Sequence, residues 1–310
     1  MFGRRPDGRR LKQPDPILAL TPYLMPQRVD AQVHSVIRVN CDTLTKYIRE
    51  QREKGVDLSY MDLVAAAYVR AVSQNPALNR FIMNKQVYAR NAINISLAII
   101  REQDGEVMET TIKPRFSPYD TVYDVHRKFK EAIDKNREPE AANNTDRLAR
   151  FVMSIPGLAT AAVWLVRLLD RYGLLPRLII DVSPFHTGLF IANMASIGMP
   201  HVNHHIYNFG TTSLFIGMGS VERNVAVKKD GTAGHERMIP LGLVSDERIT
   251  SGADYGRAMT TFRSCLNNPA LLETAPETVK YDIPPEKMPH PEGRRQRRRE
   301  RKREQTAVEI

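Results

Sequence analysis

The stretch LGLVSDERITSGADYGRAMTTFRSCLNNPALL, residues 241–272, decides the fold class because three kinds of signal follow one another in it. Its first residues are apolar and, with the preceding RMIP, predict a buried strand. The charged run DER at 246–248 predicts a turn after that strand. Residues 252–266 predict a closing helix, which the run NNP at 267–269 ends. A strand, a polar turn and a final helix together indicate the end of a mixed α/β domain.

The chain before this stretch alternates between helix and strand signals. From Thr187 onward, TGLFIANMAS and TTSLFIGMGS predict short apolar strands joined by turns. Four prolines within residues 13–30 predict an extended arm. The other predicted elements are a strand at 32–39, one or two strands within 86–100, and helices from Asp42 to Lys54, from a Ser59/Asp62 capping pair to Asn75, and from Tyr119 to Asn136.

The formal net charge of +10 is concentrated at the two ends of the chain. Residues 293–304 alone hold eight bases and two acids. We therefore expect a basic disordered arm at 1–14, a core domain at 15–280 and a basic disordered tail at 281–310. Such a tail either stays solvated or binds an anionic membrane surface or nucleic acid through residues 293–304. The absence of aromatic residues among its arginines favours the solvated alternative.

Residues 137–183 look like a helical insertion into the core domain. The run FVMSIPGLATAAVWLV at 151–166 has no charge, but it is shorter than a membrane span and a Pro-Gly pair interrupts it. A helix from Leu158 to Gly173 is predicted after this pair. We expect a packing helix, and the rival hypothesis is a helix on a membrane surface, because Arg150, Arg167 and Arg171 flank the run.

Four segments, in order, resemble the catalytic domain of the 2-oxo-acid dehydrogenase acyltransferases, the dihydrolipoamide acyltransferases. The resemblance covers most of residues 15–275. It is carried by DLVAAAYVRAVSQNPALN at 62–79, INISLAII at 93–100, GLFIANMASIGMPHVNHHIYNFGTTSLFIGMGSV at 188–221 and the stretch at 241–272.

This resemblance implies the fold of chloramphenicol acetyltransferase, a mixed sheet backed by helices, in a homotrimer with active sites between subunits. It also implies that coenzyme A or acyl-CoA is a substrate. The core begins almost at once, so we expect no bound lipoyl group in this chain and a lipoyl-bearing partner protein if one is used.

The family motif Asp-His-Arg-x-x-Asp-Gly is altered here. Asp246, Arg248 and Gly252 match it, and the resemblance makes Asp246 and Arg248 candidate catalytic residues. Glu247 stands at the position of the catalytic histidine and Ser251 at that of the second aspartate. The histidine is the general base in this family. A carboxylate has an unperturbed pKa about 2 units below that of imidazole, which corresponds to about 3 kcal/mol of lost driving force. Glu247 is therefore either a substitute base or a structural carboxylate in a site without this chemistry.

A second departure lies in the strand FIAN at 190–193. The family has a serine there that stabilises the tetrahedral intermediate, and this chain has Ala192. The loss of one oxyanion donor costs about 10²–10³ in rate. Asn193 and Ser196 are the candidate residues for binding coenzyme A, and Ser196 is also a candidate replacement for the missing hydroxyl.

The pair His204-His205 offers an alternative base. The run HHIYNFG mimics the His-His-x-x-x-Asp-Gly motif of related acyltransferases, but by order it precedes the predicted strand at 211–220. We expect a packed pair of histidines, with His205 as the alternative base. Zinc binding with His201 lacks a completing carboxylate or cysteine, so no metal site is predicted. His126 and His186 are expected to be structural.

The function expected from these residues is CoA-dependent acyl transfer at an altered site. The alternative is a catalytically inactive trimeric scaffold or regulatory protein on the same fold, which docks through its basic tail. Two widely separated cysteines and the lack of a signal-peptide pattern predict a cytoplasmic protein, peripheral at the membrane if residues 151–180 or the tail bind there.

Overall fold

A twisted mixed sheet forms the centre of the fold. The computed structural model describes residues 5–12, 15–103, 106–137, 154–227 and 231–284. The central strand order is β10-β11-β9-β8-β5-β6, with β2 also paired to β11 and β7 to β5. The strands are β2 (Gln32–Asn40), β5 (Ile93–Gln103), β6 (Glu106–Ile112), β7 (Arg115–Phe116), β8 (Leu189–Asn193), β9 (Leu214–Met218), β10 (Glu222–Val227) and β11 (Ala233–Asp246).

The sheet is parallel at its centre and antiparallel toward its edges. Strand β8 runs parallel to both β5 and β9, whereas β11 is antiparallel to β9, β10 and β2. The mixed sheet backed by helices that the sequence predicted is confirmed. The helices are α1 (Pro16–Leu24), α2 (Cys41–Glu53), α3 (Tyr60–Gln74), α4 (Val122–Arg137), α5 (Leu158–Arg171), α6 (Arg177–Val182) and α7 (Gly252–Asn267).

One face of the sheet packs against α2, α3, α4 and α7 to form the main core. Alternate residues of the strands enter this core, for example Leu189 and Ile191 of β8. Helix α3 is buried on nearly all sides, which its run of small residues permits. Ser59 and Asp62 form the predicted capping box at its start. The opposite face of the sheet carries the smaller cluster of Ile206, Phe215 and Val244, and it bears on the site described below.

A small antiparallel sheet lies beside the main one. It has the order β1-β4-β3, with β1 at Gly8–Arg10, β3 at Arg80–Met83 and β4 at Gln86–Arg90. The prediction of a disordered arm at 1–14 is therefore wrong for residues 8–10, which pair with β4. The prediction of an extended arm at 13–30 is wrong for residues 16–24, because Asp15 caps a helix there. Pro16 occupies the first turn of this helix, where no amide hydrogen is needed.

The predicted insertion at 137–183 is helical where the structure describes it, in α5 and α6. Its main attachment is Asp170 of α5, which is buried. The Asp170 carboxylate accepts a hydrogen bond from Nη2 of Arg5 at 2.6 Å and lies 3.2 Å from Nε2 of His186. Burial alone would raise the pKa of Asp170, but the hydrogen bond with His186 and the charge of Arg5 outweigh it and lower that pKa.

A second attachment holds the far end of the insertion. The half-buried side chain of Lys113 donates through its amino group to the backbone oxygens of Ile180 and Ser183, at the carboxyl end of α6. Burial lowers the pKa of Lys113 to about 8. A cation at this position also complements the negative end of the helix dipole.

The outer side of the insertion is apolar and exposed. Trp164 and Leu165 of α5 are 62% and 48% exposed, and Leu178 of α6 is 76% exposed. The expected packing helix therefore contacts the body through only part of its surface. None of the helices within the described ranges is long and apolar enough to cross a bilayer. Arg150 lies outside the described residues.

The predicted tail starts later than residue 281. Asp282 forms an ion pair with Arg80, with its carboxylate 2.5 Å from Nη2, and its side chain is 9% exposed. Lys280 donates its backbone amide to Ser73 at the end of α3. The boundary is therefore corrected to a position after Asp282, because this residue is fixed to the core by a charge pair. The rest of the predicted tail, from 285, lies outside the described residues.

Substitution of Asp170 by asparagine is expected to destabilise the fold by about 3 kcal/mol, because it removes the buried partner of Arg5. Since the folded-state pKa is lowered, this stabilisation is present above the unfolded pKa of about 3.9 and is lost as pH falls through the folded value. Urea denaturation from pH 7 to pH 2 measures it, and the difference between wild type and variant should shrink in acid. Asp181→Asn, at an exposed pair with Arg177, is the matched control; an equal loss in both variants contradicts the anchoring role.

Candidate active site

The charged turn after β11 is held by a buried ion pair. The carboxylate of Asp246 accepts two hydrogen bonds from the guanidinium of Arg248, from Nε at 2.8 Å and from Nη2 at 2.7 Å. Both residues are buried. Arg248 also donates to the backbone oxygen of Met25, which fixes the end of α1 against the turn. This two-point geometry makes Asp246 and Arg248 positioning residues, because both side chains are buried and each binds the other.

A third charged residue joins this pair, and the sequence did not indicate it. Arg28 is buried and its Nε lies 3.6 Å from the Asp246 carboxylate. Its two Nη atoms donate to the backbone oxygens of Tyr207 and Gly210. Burial lowers the pKa of Arg28, and the negative charge of Asp246 opposes that effect. Arg28 follows a Pro-Gln dipeptide and has no local pattern, so only the tertiary structure reveals its position.

Glu247 occupies the turn between the two clamped residues. It lies in the 3₁₀ turn Glu247–Ile249 and is exposed, whereas the residues on both sides of it are buried. Within the described part of the chain its carboxylate has no hydrogen-bond or ion-pair partner. The clamp therefore presents the Glu247 side chain outward from the end of the sheet.

Ser251 stands at the position of the second aspartate of the motif and caps the helix that follows. Its hydroxyl accepts a hydrogen bond from the Asp254 backbone amide at 3.1 Å and donates to the Asp254 carboxylate at 2.9 Å. It is thus the N-cap of α7. Serine and aspartate are both favoured at this position because each offers a side-chain oxygen to the first turn.

The candidate residues at the end of β8 form a second group. Ala192 packs against the cluster of Ile206, Phe215 and Val244 on the face of the sheet away from the helices. The Oδ1 atom of Asn193 is buried and accepts no hydrogen bond. Ser196 is exposed, and its hydroxyl donates a hydrogen bond to the backbone oxygen of Asn193 at 2.6 Å. In this conformation Ser196 therefore does not replace the missing serine hydroxyl.

The segment at 199–207 crosses this same face of the sheet and depends on three glycines beneath it. A Cβ at Gly242 would lie 2.6 Å from the backbone oxygen of Val202, and one at Gly219 would lie 2.2 Å from the backbone nitrogen of His201. Gly217 also lies beneath Val202. The glycines allow the segment to lie directly on β9 and β11, which brings His204 and His205 over the sheet.

His204 is a packed residue, whereas His205 is exposed. The ring of His204 stacks on Phe215, with centroids 4.0 Å apart and planes 5° from parallel, and its Nδ1 lies 2.7 Å from the His205 backbone oxygen. His205 contacts Tyr207 edge to face at 4.8 Å. The sequence placed this pair on a strand or loop ahead of the motif, and in the structure it lies outside the strands and precedes β9.

The structure separates Glu247 from Ala192. Ser245, Leu214 and Leu189 lie side by side across the sheet, and Ala192 is three residues further along β8 in the direction away from the turn. Three strand residues span about 10 Å. Because Glu247 lies beyond Ser245 on the other side, one chain does not bring the two positions within reach of one reacting group.

Three other histidines lie beside polar or acidic side chains. Nδ1 of His126 lies 3.1 Å from the Asp62 carboxylate, and His186 is held between Ser183 and Asp170. Nδ1 of His201 lies 3.4 Å from the Glu222 carboxylate. Among the residues that the structure describes, no group of three or more histidines, cysteines or carboxylates could hold a metal ion.

Comparison with known families decides the identity of this fold. The family described as 2-oxoacid dehydrogenases acyltransferase (catalytic domain) matches residues 26–138 and 186–274, more than half of the chain. The chain belongs to this acyltransferase family. The unmatched residues between the two segments contain α5 and α6, and all of the altered motif lies within the second segment.

The curated relatives of this acyltransferase-family chain are distant and longer. It is 21% identical over 234 residues to component 5 of the dihydrolipoyllysine-residue acetyltransferase of the chloroplastic pyruvate dehydrogenase complex of Arabidopsis thaliana. It is 24% identical over 245 residues to the corresponding component from Acholeplasma laidlawii. These matches cover 76% of this chain and 41% and 36% of the relatives, so the chain spans about two fifths of their length.

Solved structures share the fold of this acyltransferase-family chain. A probable dihydrolipoamide acetyltransferase from Listeria monocytogenes is similar with a TM-score of 0.51 and 15% identity, over 87% of this chain and 99% of that one. The cubic core of a pyruvate dehydrogenase multienzyme complex is similar with a TM-score of 0.52 and 13% identity, over 83% and 88%. At this identity the similarity establishes the fold.

Replacement of Gly242 by alanine is expected to destabilise the protein by about 1–3 kcal/mol, because the new methyl group would overlap the backbone oxygen of Val202. Thermal unfolding measures the effect, and loss of the His204–Phe215 stack should accompany it as a change in the histidine NMR shifts. Gly256→Ala, in α7 with open space around it, should be neutral or stabilising. A melting temperature that Gly242→Ala leaves unchanged would show that the segment at 199–207 does not lie directly on the sheet.

Proposed function

We propose that this chain is a CoA-dependent acyltransferase whose active site is completed by a second copy of the chain. The observation that carries the proposal is the intact Asp246–Arg248 clamp, which presents Glu247 outward from the end of the sheet. The family to which the chain belongs supports acyl transfer. The separation of Glu247 from Ala192 within one chain supports a site assembled between chains.

The reaction has one proton transfer that needs a base. The base takes the proton of an acceptor thiol or hydroxyl, the sulfur or oxygen attacks the thioester carbonyl, and the tetrahedral intermediate expels CoA thiolate, which takes the proton back. Glu247 is the base that the motif assigns, and His205 is the alternative, because its ring is exposed on the face that carries Ala192. A glutamate is an effective base near neutral pH only where burial raises its pKa. In our proposal the neighbouring chain buries Glu247.

The end of β8 is the proposed binding region for the CoA arm. The unpartnered Oδ1 of Asn193 is an acceptor for an amide N–H of the pantetheine arm. Ser196 is exposed next to it. Because Ala192 has no hydroxyl for the oxyanion, we expect turnover about 10²–10³ slower than with a serine at this position. Ala192→Ser should therefore increase the rate.

The partners follow from the same proposal. We propose a homotrimer, by analogy with the family, and a lipoyl group supplied by another protein chain. The dihydrolipoyl thiol is the acceptor to be tried first. The location in the cytoplasm, and contact of residues 293–304 with an anionic membrane or nucleic acid, remain proposals that do not enter the mechanism.

The test is a thiol-release assay with acetyl-CoA and dihydrolipoamide on the wild type, Glu247→Gln and His205→Ala. Turnover that falls about 10²–10⁴-fold in only one variant identifies the base. Asp254→Asn, beside the cap of α7, controls for effects on the fold. The specific activity should rise with protein concentration over the range in which sedimentation detects trimers.

Absence of turnover in wild type and in Ala192→Ser, with CoA still raising the melting temperature, would overturn catalysis. That outcome supports the second candidate, a trimeric scaffold or regulatory protein that docks through its basic tail. The observation that favours this candidate is the pair of changes at Ala192 and Glu247. If the protein is a scaffold or regulator, deletion of residues 293–310 should abolish partner binding. If it is an acyltransferase, the same deletion should leave turnover unchanged.

A further inference from the structure

A polar cavity of about 410 Å³ lies between the inserted helix α5 and the body of the protein. Its walls are α5, the turn between β3 and β4, residues 26–28 before β2, and the loop at 208–210. This volume is within the usual range for small-molecule sites. The cavity is separate from the end of β8, where the proposed CoA arm binds, and it touches the motif only through Arg248.

The walls of the cavity are strongly cationic. Its only lining carboxylate among the described residues is Asp170, which is already bonded to Arg5 and His186. Five cationic side chains line it: Arg28, Lys85, Arg167, Arg171 and Arg248. Asp246 partly compensates Arg28 and Arg248, so the excess positive charge comes mainly from Lys85, Arg167 and Arg171. Excess positive charge around a concave surface attracts anions, because the low-dielectric walls strengthen the field inside.

The buried end of the cavity contains a donor without an acceptor. Arg28 is 5% exposed, and its Nε makes no hydrogen bond. The nearest carboxylate oxygen, of Asp246, is 3.6 Å away, too far for a hydrogen bond, and it is already bonded to Arg248. An unpaired buried donor costs about 1–3 kcal/mol. The guanidinium of Arg28 therefore adds positive charge, only partly balanced by Asp246, at the buried end of the cavity.

The outer end of the cavity is lined by three exposed cations, Lys85, Arg167 and Arg171. Arg167 and Arg171 are four residues apart on α5 and therefore lie on the same side of the helix. Nε of Arg171 donates to the side-chain oxygen of Asn84. Asn84 and Lys85 form the β3–β4 turn with φ of 48° and 61°, a conformation that favours glycine, yet the chain has a lysine there. Within the described residues neither Arg167 nor Lys85 has a carboxylate partner.

We propose that this cavity binds a phosphate-bearing anion, as a site specific to the insertion of this chain. One guanidinium group can bind two phosphate oxygens at once. The side-chain amides of Gln27 and Asn208 line the cavity and add neutral donors. Two of the five cations belong to α5, which lies outside the family-matched residues. The source of the phosphate is either a free phosphate ester or the phosphates of CoA, and this inference does not depend on acyl transfer.

The experiment is a titration of the full chain with inorganic pyrophosphate. Calorimetry and the fluorescence of Trp164 report the binding. Trp164 is the single tryptophan and lies three residues before Arg167 on α5. We expect saturable binding that weakens as salt rises. Arg167→Gln combined with Arg171→Gln should weaken it by about tenfold or more, since two charge-assisted contacts are lost. The exposed Arg263→Gln on α7 is the matched control and should bind as the wild type does.

Two further arms separate the sources of phosphate. Displacement of pyrophosphate by CoA, but not by pantetheine, assigns the site to the phosphates of CoA. Binding that CoA does not displace assigns it to a free phosphate ester. Absence of binding at millimolar pyrophosphate, or equal binding to the wild type and the doubly substituted protein, overturns the proposal. Because circular dichroism and melting check that the variants are folded, and because no turnover is measured, this result is independent of the acyltransfer assay.

Discussion

The buried ion pair between Asp246 and Arg248 is the interaction on which the site depends. It closes the turn at the end of β11 and holds the end of α1 through the Met25 backbone oxygen. Arg28 adds the carbonyls of Tyr207 and Gly210 to the same cluster. A buried pair of this kind contributes little net stability, but removal of one member leaves a charge without compensation. The ion pair mainly fixes the geometry, because it holds three separate segments of the chain around the carboxylate of Asp246.

This constraint explains how the motif can change while its surroundings stay the same. The outer two residues of the DER run are buried and hold the turn, whereas Glu247 between them is exposed. Ser251 keeps the helix cap that an aspartate would also supply. The fold therefore tolerates a different chemical group at the position of the base. A change at this one exposed position leaves the architecture intact, which is why family membership alone does not establish the reaction.

The sequence predicted regular elements well and long-range placements poorly. Periodicity and capping identified α3, α4 and α7, because these signals are local. The strand at 8–10 and helix α1 were missed, since the proline-rich and basic composition of these residues suggested an extended arm. Of the site, the motif at 246–252 and the β8 residues were found from the family resemblance. The role of Arg28, the crossing over Gly242 and the distance between Glu247 and Ala192 depend on register and packing, which no local pattern encodes.

The attachment of Asp170 to Arg5 has a practical consequence for where this domain can be cut. The family-matched segments begin at residue 26, so a domain boundary drawn from them would discard Arg5. It would also discard β1, and the edge of β4 would be left open to pair with other molecules. A unit that keeps this ion pair and this strand pairing is therefore larger than the homologous region. Arg5, three residues before β1, supplies the counter-ion for Asp170 of an insertion that lies more than a hundred residues later in the chain.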